Sequence, residues 1–504
     1  MAASVGSALS WWARTKGQET ALVVAEDQLT FRDVHDWSSR LARRLADEGV
    51  KPGDRVGLLG ANALAWPIAA LAIIKTGAVL VPLNARLKPA EIRKVADDAG
   101  LSMILASKSH VPIAQDARAG GHDFTVLDFG LVEAERNGVP DDFKVDRAPD
   151  EAIAVIFTSG STGLSKGVIL TNATLLSIVL ENTLTQEGFR PGTVTLLVLP
   201  LAFTPGLVYG LLMTTVLGGT LIVEPELNPS RAVDIIEHHG VRALFGVPLI
   251  FEAMSKAPEF AEADLSSLQT AIIGGAAVPV ELLGRWADKG VLLRQIYGMT
   301  EAGGVATATL PHEALEHPGS CGIGSIFTDV RVMGEDGELR GPGEQGEIVV
   351  RGPLVTPGYW DDPASTAQAI RDGWLHSGDL GVADESGRIT FVDRMKDLII
   401  SGGINISPVE LESAIGTLEG VDEVAVIAAA DARFGETPAA IITGSVADRE
   451  TVISHCETLL SDYKIPRYVV LRDEPLPRLP SGKLDKRAIR AEYHDVPQRF
   501  PRVR

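Results

Sequence analysis

Apolar and polar positions along the first 300 residues follow two periods in turn. Short apolar runs bounded by glycine, proline or charge recur as "DRVGLLG", "GAVLVPL", "SMILAS", "AIAVIF", "GTLIVE", "ALFGV" and "TAIIGG". Their length and aliphatic content predict strands buried on both faces. Between them, "FRDVHDWSSRLARRLADEG" and "PSRAVDIIEHHG" repeat apolar side chains at intervals of three and four. That is the period of an amphipathic helix. Such alternation predicts βαβ units, and so parallel sheets with helices on both faces.

The pattern then changes twice. From about residue 322 to residue 360, "DVRVMGEDGELRGPGEQGEIVVRG" offers short alternating strands split by Gly-rich turns. This predicts an antiparallel meander or a small barrel. After Arg394, "LIISGGINISPVELESAIG", "VDEVAVIAAA", "PAAIITGS" and "YVVLRD" outline a compact α+β unit. The expected fold class is therefore α/β. A large N-terminal domain, residues 1–394, holds parallel-rich sheets with flanking helices and a β-barrel-like subdomain at about 320–394. A small α+β domain follows over residues 395–504. The chain length agrees, because a single core seldom grows beyond about 250–300 residues.

Pro191 to Val223 carries no charge, which raises the question of a membrane span. A span needs about 20 uninterrupted apolar residues. Pro200, Pro205, Gly206, Gly210, Gly218 and Gly219 interrupt this one. The reading is a strand ("TLLVL"), a turn ("PLAFTPG"), a buried helix ("LVYGLLMTTVL") and a second strand. The N-terminus lacks the basic-then-apolar order of a secretory signal.

Composition narrows the function classes. The net charge of −20 excludes a general nucleic-acid binder and suits an acidic cytoplasmic protein. Peripheral membrane contact and oligomeric state stay open. An anionic substrate would need its own local cluster of cations and N–H donors. Cys321 and Cys456 are the two cysteines, far apart, so no disulfide framework is expected. No HxxxH or HExxH spacing occurs among the ten histidines, so no zinc site is expected.

The candidate chemistry starts at "FTSGSTGLSKGV", residues 157–168. A Walker loop places glycine directly before its lysine. Here Ser165 precedes Lys166 and Gly167 follows it, so that match fails. The loop still leaves a strand-like run, where backbone N–H groups can converge on an anion. On spacing alone it is either a phosphate grip or a plain connection. Four other segments carry polar side chains in glycine-rich settings: "QIYGMTEAGG", "GWLHSGDLG", "FVDRMKDLIISGGIN" and "LPRLPSGKLDKRAI". Singly, Asp379 fits a turn, Glu301 a helix N-terminal charge and Lys483 a solvated surface.

Together and in this order, the five segments resemble the motifs of the adenylate-forming enzymes. These are the acyl-CoA synthetases, luciferases and peptide-synthetase adenylation domains. The resemblance covers roughly residues 20–490 and is closest to bacterial fatty acyl-CoA or aryl-CoA ligases. It implies that Thr158, Ser159, Gly160, Ser161, Thr162, Gly163 and Lys166 hold ATP phosphates. A serine, Ser165, replaces the family's usual proline. The resemblance further implies an adenine slot from Gly274, Gly275, Ala276, Ala277, Tyr297, Gly298 and Met299, and a Thr300 contact to the α-phosphate. Glu301 would hold Mg²⁺ together with Thr158. Asp379 and Arg394 would hold the ribose, and Lys483 would bridge the carboxylate and the α-phosphate. The catalytic set is thus Lys483, Glu301, Thr300 and Lys166.

ATP and CoA are the implied co-substrates, with Mg²⁺ as cofactor. The small domain would turn about a hinge at Lys396 for the second half-reaction. Gly402 and Gly403 would line the pantetheine tunnel. Arg86, Phe434, Tyr463, Lys464 and Arg467 would hold the CoA nucleotide, aromatics for the purine and cations for the phosphates. The chain departs from the family at Ile404, where glutamate is common, and at Phe203, where histidine is usual. The implied acyl pocket is lined by Phe203, Tyr209, Val247, Pro248, Ile250, Gly274, Gly298 and Met299. None is charged, and a buried ion without a partner costs several kcal/mol. This favours a fatty, aryl or alicyclic acid over a dicarboxylate or an amino acid. Two other readings remain: an adenylating enzyme that loads a carrier protein, and a non-catalytic nucleotide-binding protein.

Overall fold

The computed structural model describes residues 3–119, 123–158, 166–401, 404–460, 462–479 and 482–503. The chain falls into two compact units, residues 1–330 with 349–376, and residues 331–348 with 377–504.

The first unit holds two large sheets. One has six strands in the order Thr125–Asp128, Leu101–Ala106, Arg55–Leu59, Val79–Leu83, Ala152–Thr158 and Lys166–Thr171. All neighbours are parallel except the last pair, which is antiparallel. The second has eight strands and is parallel through its centre, from Leu293–Tyr297 across to Thr20–Val24, with an antiparallel strand at each edge. The apolar runs read from the sequence are these strands. Buried on both faces, they need no polar alternation.

The helices form where local signals specify them. Thr30 accepts from the Asp33 amide and Asp33 accepts from the Thr30 amide, a capping box that starts the helix Phe31–Asp47. Asn228 caps the helix Pro229–His239, and Gly240, at φ 60°, ends it. The segment "LVYGLLMTTVL" is helical, as expected, but its first part is not an α-helix. Pro205–Leu212 is wound with i→i+5 hydrogen bonds, closed by the Met213 amide donating to Val208 O. Such wide turns occur often at functional sites. One feature of this unit is unrelated to any motif. Lys75, at the end of the helix Ala65–Lys75, is 2 % exposed and donates to His35 O at 3.0 Å and Ser39 Oγ at 2.7 Å.

In the second unit, Val421–Asp431 and Gly435–Gly444 form a long antiparallel pair, and Tyr468–Arg472 adds to it in parallel. The period of two sends Val426, Ala440, Ile442 and Val469 into one core and Ala425, Ala439, Ile441 and Val470 into another. This is the small α+β architecture expected for the C-terminal region. No helix among the described residues is long and apolar enough to cross a membrane.

Candidate active site

In the first unit, the candidate residues collect at the carboxyl ends of parallel strands, where open α/β sheets bind ligands. Thr158 ends one strand, and Lys166 faces it in register at the start of the return strand. The intervening loop residues Ser159, Gly160, Ser161, Thr162 and Gly163 lie outside the described residues. Gly274 ends the strand Thr270–Gly274, and Gly275, Ala276 and Ala277 follow it exposed, with Gly275 at φ 81°. Tyr297 ends the strand Leu293–Tyr297 and is buried.

The turn after Tyr297 brings several motifs together. A Cβ at Gly298 would lie 2.0 Å from Gly304 O, so only glycine lets these backbones touch. The Gly304 amide donates to Met299 O at 2.9 Å and closes the turn. Thr300 Oγ1 then sits 2.9 Å from Thr204 Oγ1. Glu301 is 8 % exposed and accepts the Tyr359 hydroxyl proton at Oε1, 2.9 Å away. Lys166 Nζ stands 4.9 Å from the centroid of the same Tyr359 ring, a cation–π contact. Burial, then the Glu301 carboxylate, raises the Tyr359 pKa, so the phenol stays protonated and acts as a donor. Two backbone hydrogen bonds fix the segment that carries Tyr359: Trp360 N to Gly167 O at 2.7 Å and Thr356 N to Glu301 O at 2.8 Å.

Sequence reasoning missed Tyr359 and Thr204. Tyr359 had a signal, an aromatic pair directly after Pro-Gly in "TPGYW". Thr204 had none, because its partner is 96 residues away.

The donor set fits Mg²⁺. Among the described residues no three His, Cys, Asp or Glu side chains group as a metal cage. Mg²⁺ does not need one, since it takes one or two carboxylates and completes its shell with phosphate oxygens and water. Glu301, in the turn after the strand Leu293–Tyr297, would supply the carboxylate, and Thr158, at a strand end of the six-stranded sheet, a hydroxyl.

Of the acyl candidates, Phe203 is half-buried at the entry to the wide helix. Tyr209 is 1 % exposed, its ring 4.6 Å from that of Phe245. Val247 and Pro248 are half-buried at the junction of the strand Ala243–Gly246 and the helix Pro248–Ser255, and Ile250 is buried. Met299 is half-buried. Arg86 is exposed, and its amide donates to Asn84 Oδ1.

In the second unit, Asp379 and Arg394 are register partners on antiparallel strands, with Nε 3.7 Å from Oδ1. Lys396 lies two residues on, in the turn Met395–Asp397, which can absorb a backbone rotation. Lys483 keeps contact with solvent, yet protein crowds its ammonium. That desolvation lowers its pKa, Arg394 adds repulsion, and Asp379 opposes both. The same three side chains are therefore electrostatically linked.

The CoA candidates form a second cluster in this unit. The Arg467 guanidinium lies 4.2 Å from the Phe434 ring centroid, and that of Arg433 lies 5.0 Å away. Asp431 ties the group together. It accepts from the Arg433 and Phe434 amides, both at 2.9 Å, and faces Arg467 at 3.3 Å and Arg502 at 3.5 Å. Burial would raise the Asp431 pKa, but these donors and cations outweigh it and hold it below the ordinary value. Arg433 and Arg502 had not been singled out from the sequence. Lys464 holds both Glu410 oxygens, at 2.6 and 2.8 Å, so its charge is already engaged. Tyr463 and Ile404 are exposed. Gly402 and Gly403 lie outside the described residues.

Comparison with known proteins follows the same lines. Residues 9–360 match the AMP-binding enzyme family, and residues 410–483 match the AMP-binding enzyme C-terminal domain. A feruloyl-CoA synthase of Amycolatopsis sp is 38% identical over 485 residues, 95% of this chain and 97% of that protein. The long-chain-fatty-acid–CoA ligase FadD13 of Mycobacterium tuberculosis is 34% identical over 473 residues, 92% of this chain and 93% of that protein. The structure of O-succinylbenzoate coenzyme A synthetase from Bacillus subtilis, in complex with ATP and a magnesium ion, superposes with a TM-score of 0.86 at 28% identity. It covers 95% of this chain and 98% of its own. On its motifs, its fold and these matches, the chain belongs to the AMP-binding enzyme family, among relatives that are acid–CoA ligases.

Proposed function

We propose that this protein is an AMP-forming acid–CoA ligase acting on a carboxylic acid with an apolar tail: fatty, aryl or alicyclic. The observation that carries this reading is the Lys166–Tyr359–Glu301 cluster next to Thr300, which offers a cation, a carboxylate and hydroxyls at one strand-end site. The acid carboxylate attacks the α-phosphorus of ATP, the bond to pyrophosphate breaks, and an acyl-adenylate forms. Negative charge gathers on the phosphoryl oxygens in that transition state, so preorganised cations and hydroxyl donors lower its energy most. In this role Lys166 stabilises the departing phosphates and Thr300 donates to the α-phosphate. Lys483 bridges the carboxylate and the α-phosphate, while Asp379 accepts from the ribose hydroxyls and Arg394 supports it. Mg²⁺, when bound at Glu301, supplies charge neutralisation of the phosphates.

The CoA thiol then attacks the acyl carbonyl carbon and AMP leaves. Phe434 and Arg467 hold the CoA nucleotide in this reading, with the hinge at Lys396 dividing a domain of residues 1–394 from one of residues 395–504. The absence of charge from Phe203, Tyr209, Val247, Pro248 and Ile250 supports the apolar acid. The relatives that act on feruloyl and long-chain acids support the same class.

The test is pyrophosphate release from ATP and Mg²⁺ over C4–C18 fatty acids, benzoate, cinnamates and steroid side-chain acids, with and without CoA. CoA-stimulated turnover with one class is the expected result. Release without CoA stimulation would point to a carrier-protein acceptor instead.

A further inference from the structure

Thr204 stands directly after Phe203 and directly before the wide helix Pro205–Leu212. It is 6 % exposed, and its Oγ1 lies 2.9 Å from Thr300 Oγ1, with either hydroxyl able to donate. The contact is not a chance brush of two surfaces. A Cβ at Gly304 would lie 2.8 Å from Tyr209 Cε2 and 3.1 Å from Thr204 Cγ2, and Gly304 takes φ 102°. The turn that carries Thr300 is thus seated on two side chains of the helix segment. A small cavity beside the pair is lined by Thr174, Val208, Leu354 and Thr356 as well as by Thr204 and Thr300. These walls restrict bulk water, so a hydroxyl that loses its partner is poorly resolvated.

We propose that Thr204 is a positioning residue for adenylation: its hydroxyl directs that of Thr300, and its link to Phe203 ties this direction to the seating of the acid. The inference rests on the ligase reading above. A threonine hydroxyl has one proton and two lone pairs. When Thr300 accepts from Thr204, its own proton is left to point at an α-phosphate oxygen. A donor oriented before the charge develops needs no reorganisation during the reaction. Valine at position 204 keeps the shape and removes this control, while serine keeps the hydroxyl.

The experiment compares T204V, T204S, T300V and the double variant T204V/T300V. Acid-dependent pyrophosphate release is measured beside the CoA-dependent consumption of supplied acyl-adenylate. T204V should lower kcat for pyrophosphate release about tenfold, the effect of one hydrogen bond, with KM for ATP nearly unchanged. T204S should restore most of the rate, and thioester formation should not change. T204V should add nothing in the T300V background, because one residue acts through the other. Wild-type kcat in T204V, equal damage in T204S, or additive losses in the double variant would each overturn the proposal. Should T204V not fold, wild-type-like T204S together with an unchanged T300V would overturn it as well. A wild-type enzyme silent with every acid would overturn the ligase reading itself, a distinct result from an active enzyme indifferent to T204V.

Discussion

Tyr359 serves two charged groups at once: its hydroxyl donates to Glu301 Oε1 at 2.9 Å, and its ring face carries the Lys166 ammonium. A hydrogen bond to a charged group is worth about 1.5–3 kcal/mol, so its loss should be visible in rate. Tyr359→Phe is expected to slow pyrophosphate release about tenfold or more and to raise the Mg²⁺ concentration needed for half-maximal rate. Tyr359→Ala should be worse, because it also removes the ring beneath Lys166. Mg²⁺ titrations of both variants check this. An unchanged Mg²⁺ dependence would detach Tyr359 from the metal's carboxylate.

Lys483 combines solvent contact with a lowered pKa, caused by desolvation and by Arg394, which agrees with its proposed place between the carboxylate and the α-phosphate. Lys483→Ala is expected to reduce pyrophosphate release by about a hundredfold or more. Its melting curve should overlay that of the wild type, since an accessible side chain contributes little to stability. Retained activity in a folded variant would remove Lys483 from the reaction.

Around Phe434 the expected defect belongs to the second half-reaction alone. Phe434→Ala and Arg467→Ala should each raise KM for CoA about tenfold, the scale of a desolvated cation–π contact. Acid-dependent pyrophosphate release without CoA should be unaffected. A loss in both half-reactions would show that the cluster supports the fold of its unit instead.

Lys75 predicts a pH dependence of stability separate from catalysis. Burial pushes its ammonium from the ordinary 10.5 down to about 7, with Asp142 pulling the other way. Between these two values the unfolded chain holds a proton that the folded protein does not. Stability from this residue therefore rises with pH from about 7 to 10.5, by up to about 1.4 kcal/mol per pH unit, and is lowest below 7. Lys75→Met should flatten that slope relative to the wild type in denaturant titrations at pH 7, 8 and 9. Parallel slopes would mean that Lys75 stays charged when folded.

The legible parts of this protein were those set by neighbours in the chain. The run "AIAVIF" is a strand and "PSRAVDIIEHH" a helix because period, cap and terminal glycine all lie within a few residues of each other. The candidate site was suggested by short motifs, which place Thr158 and Tyr297 at strand ends, Asp379 within a strand and Lys483 in a loop. Partnerships across long distances were not. Nothing near Thr204 names Thr300, nothing near Asp431 names Arg467, 36 residues on, as its companion, and the engagement of Lys464 by Glu410 is invisible over 54 residues. The i→i+5 winding after Pro205 was missed for another reason. Its apolar residues are buried all round, so no polar stripe records how many residues make a turn.

On the proposed acyl pocket, that winding would give substrate choice an evolutionary grain. In an α-helix each residue advances the side-chain direction by about 100°. A stretch wound wider than this holds surplus chain. Losing one residue between Pro205 and Leu212 would let the segment tighten toward an α-helix and swing the positions beyond it around the axis. A single codon deletion could thus re-face the wall on which Tyr209 sits, a larger step than any one side-chain exchange. Divergence of acid specificity along this lineage should then be sought in length variants of this helix as much as in substitutions.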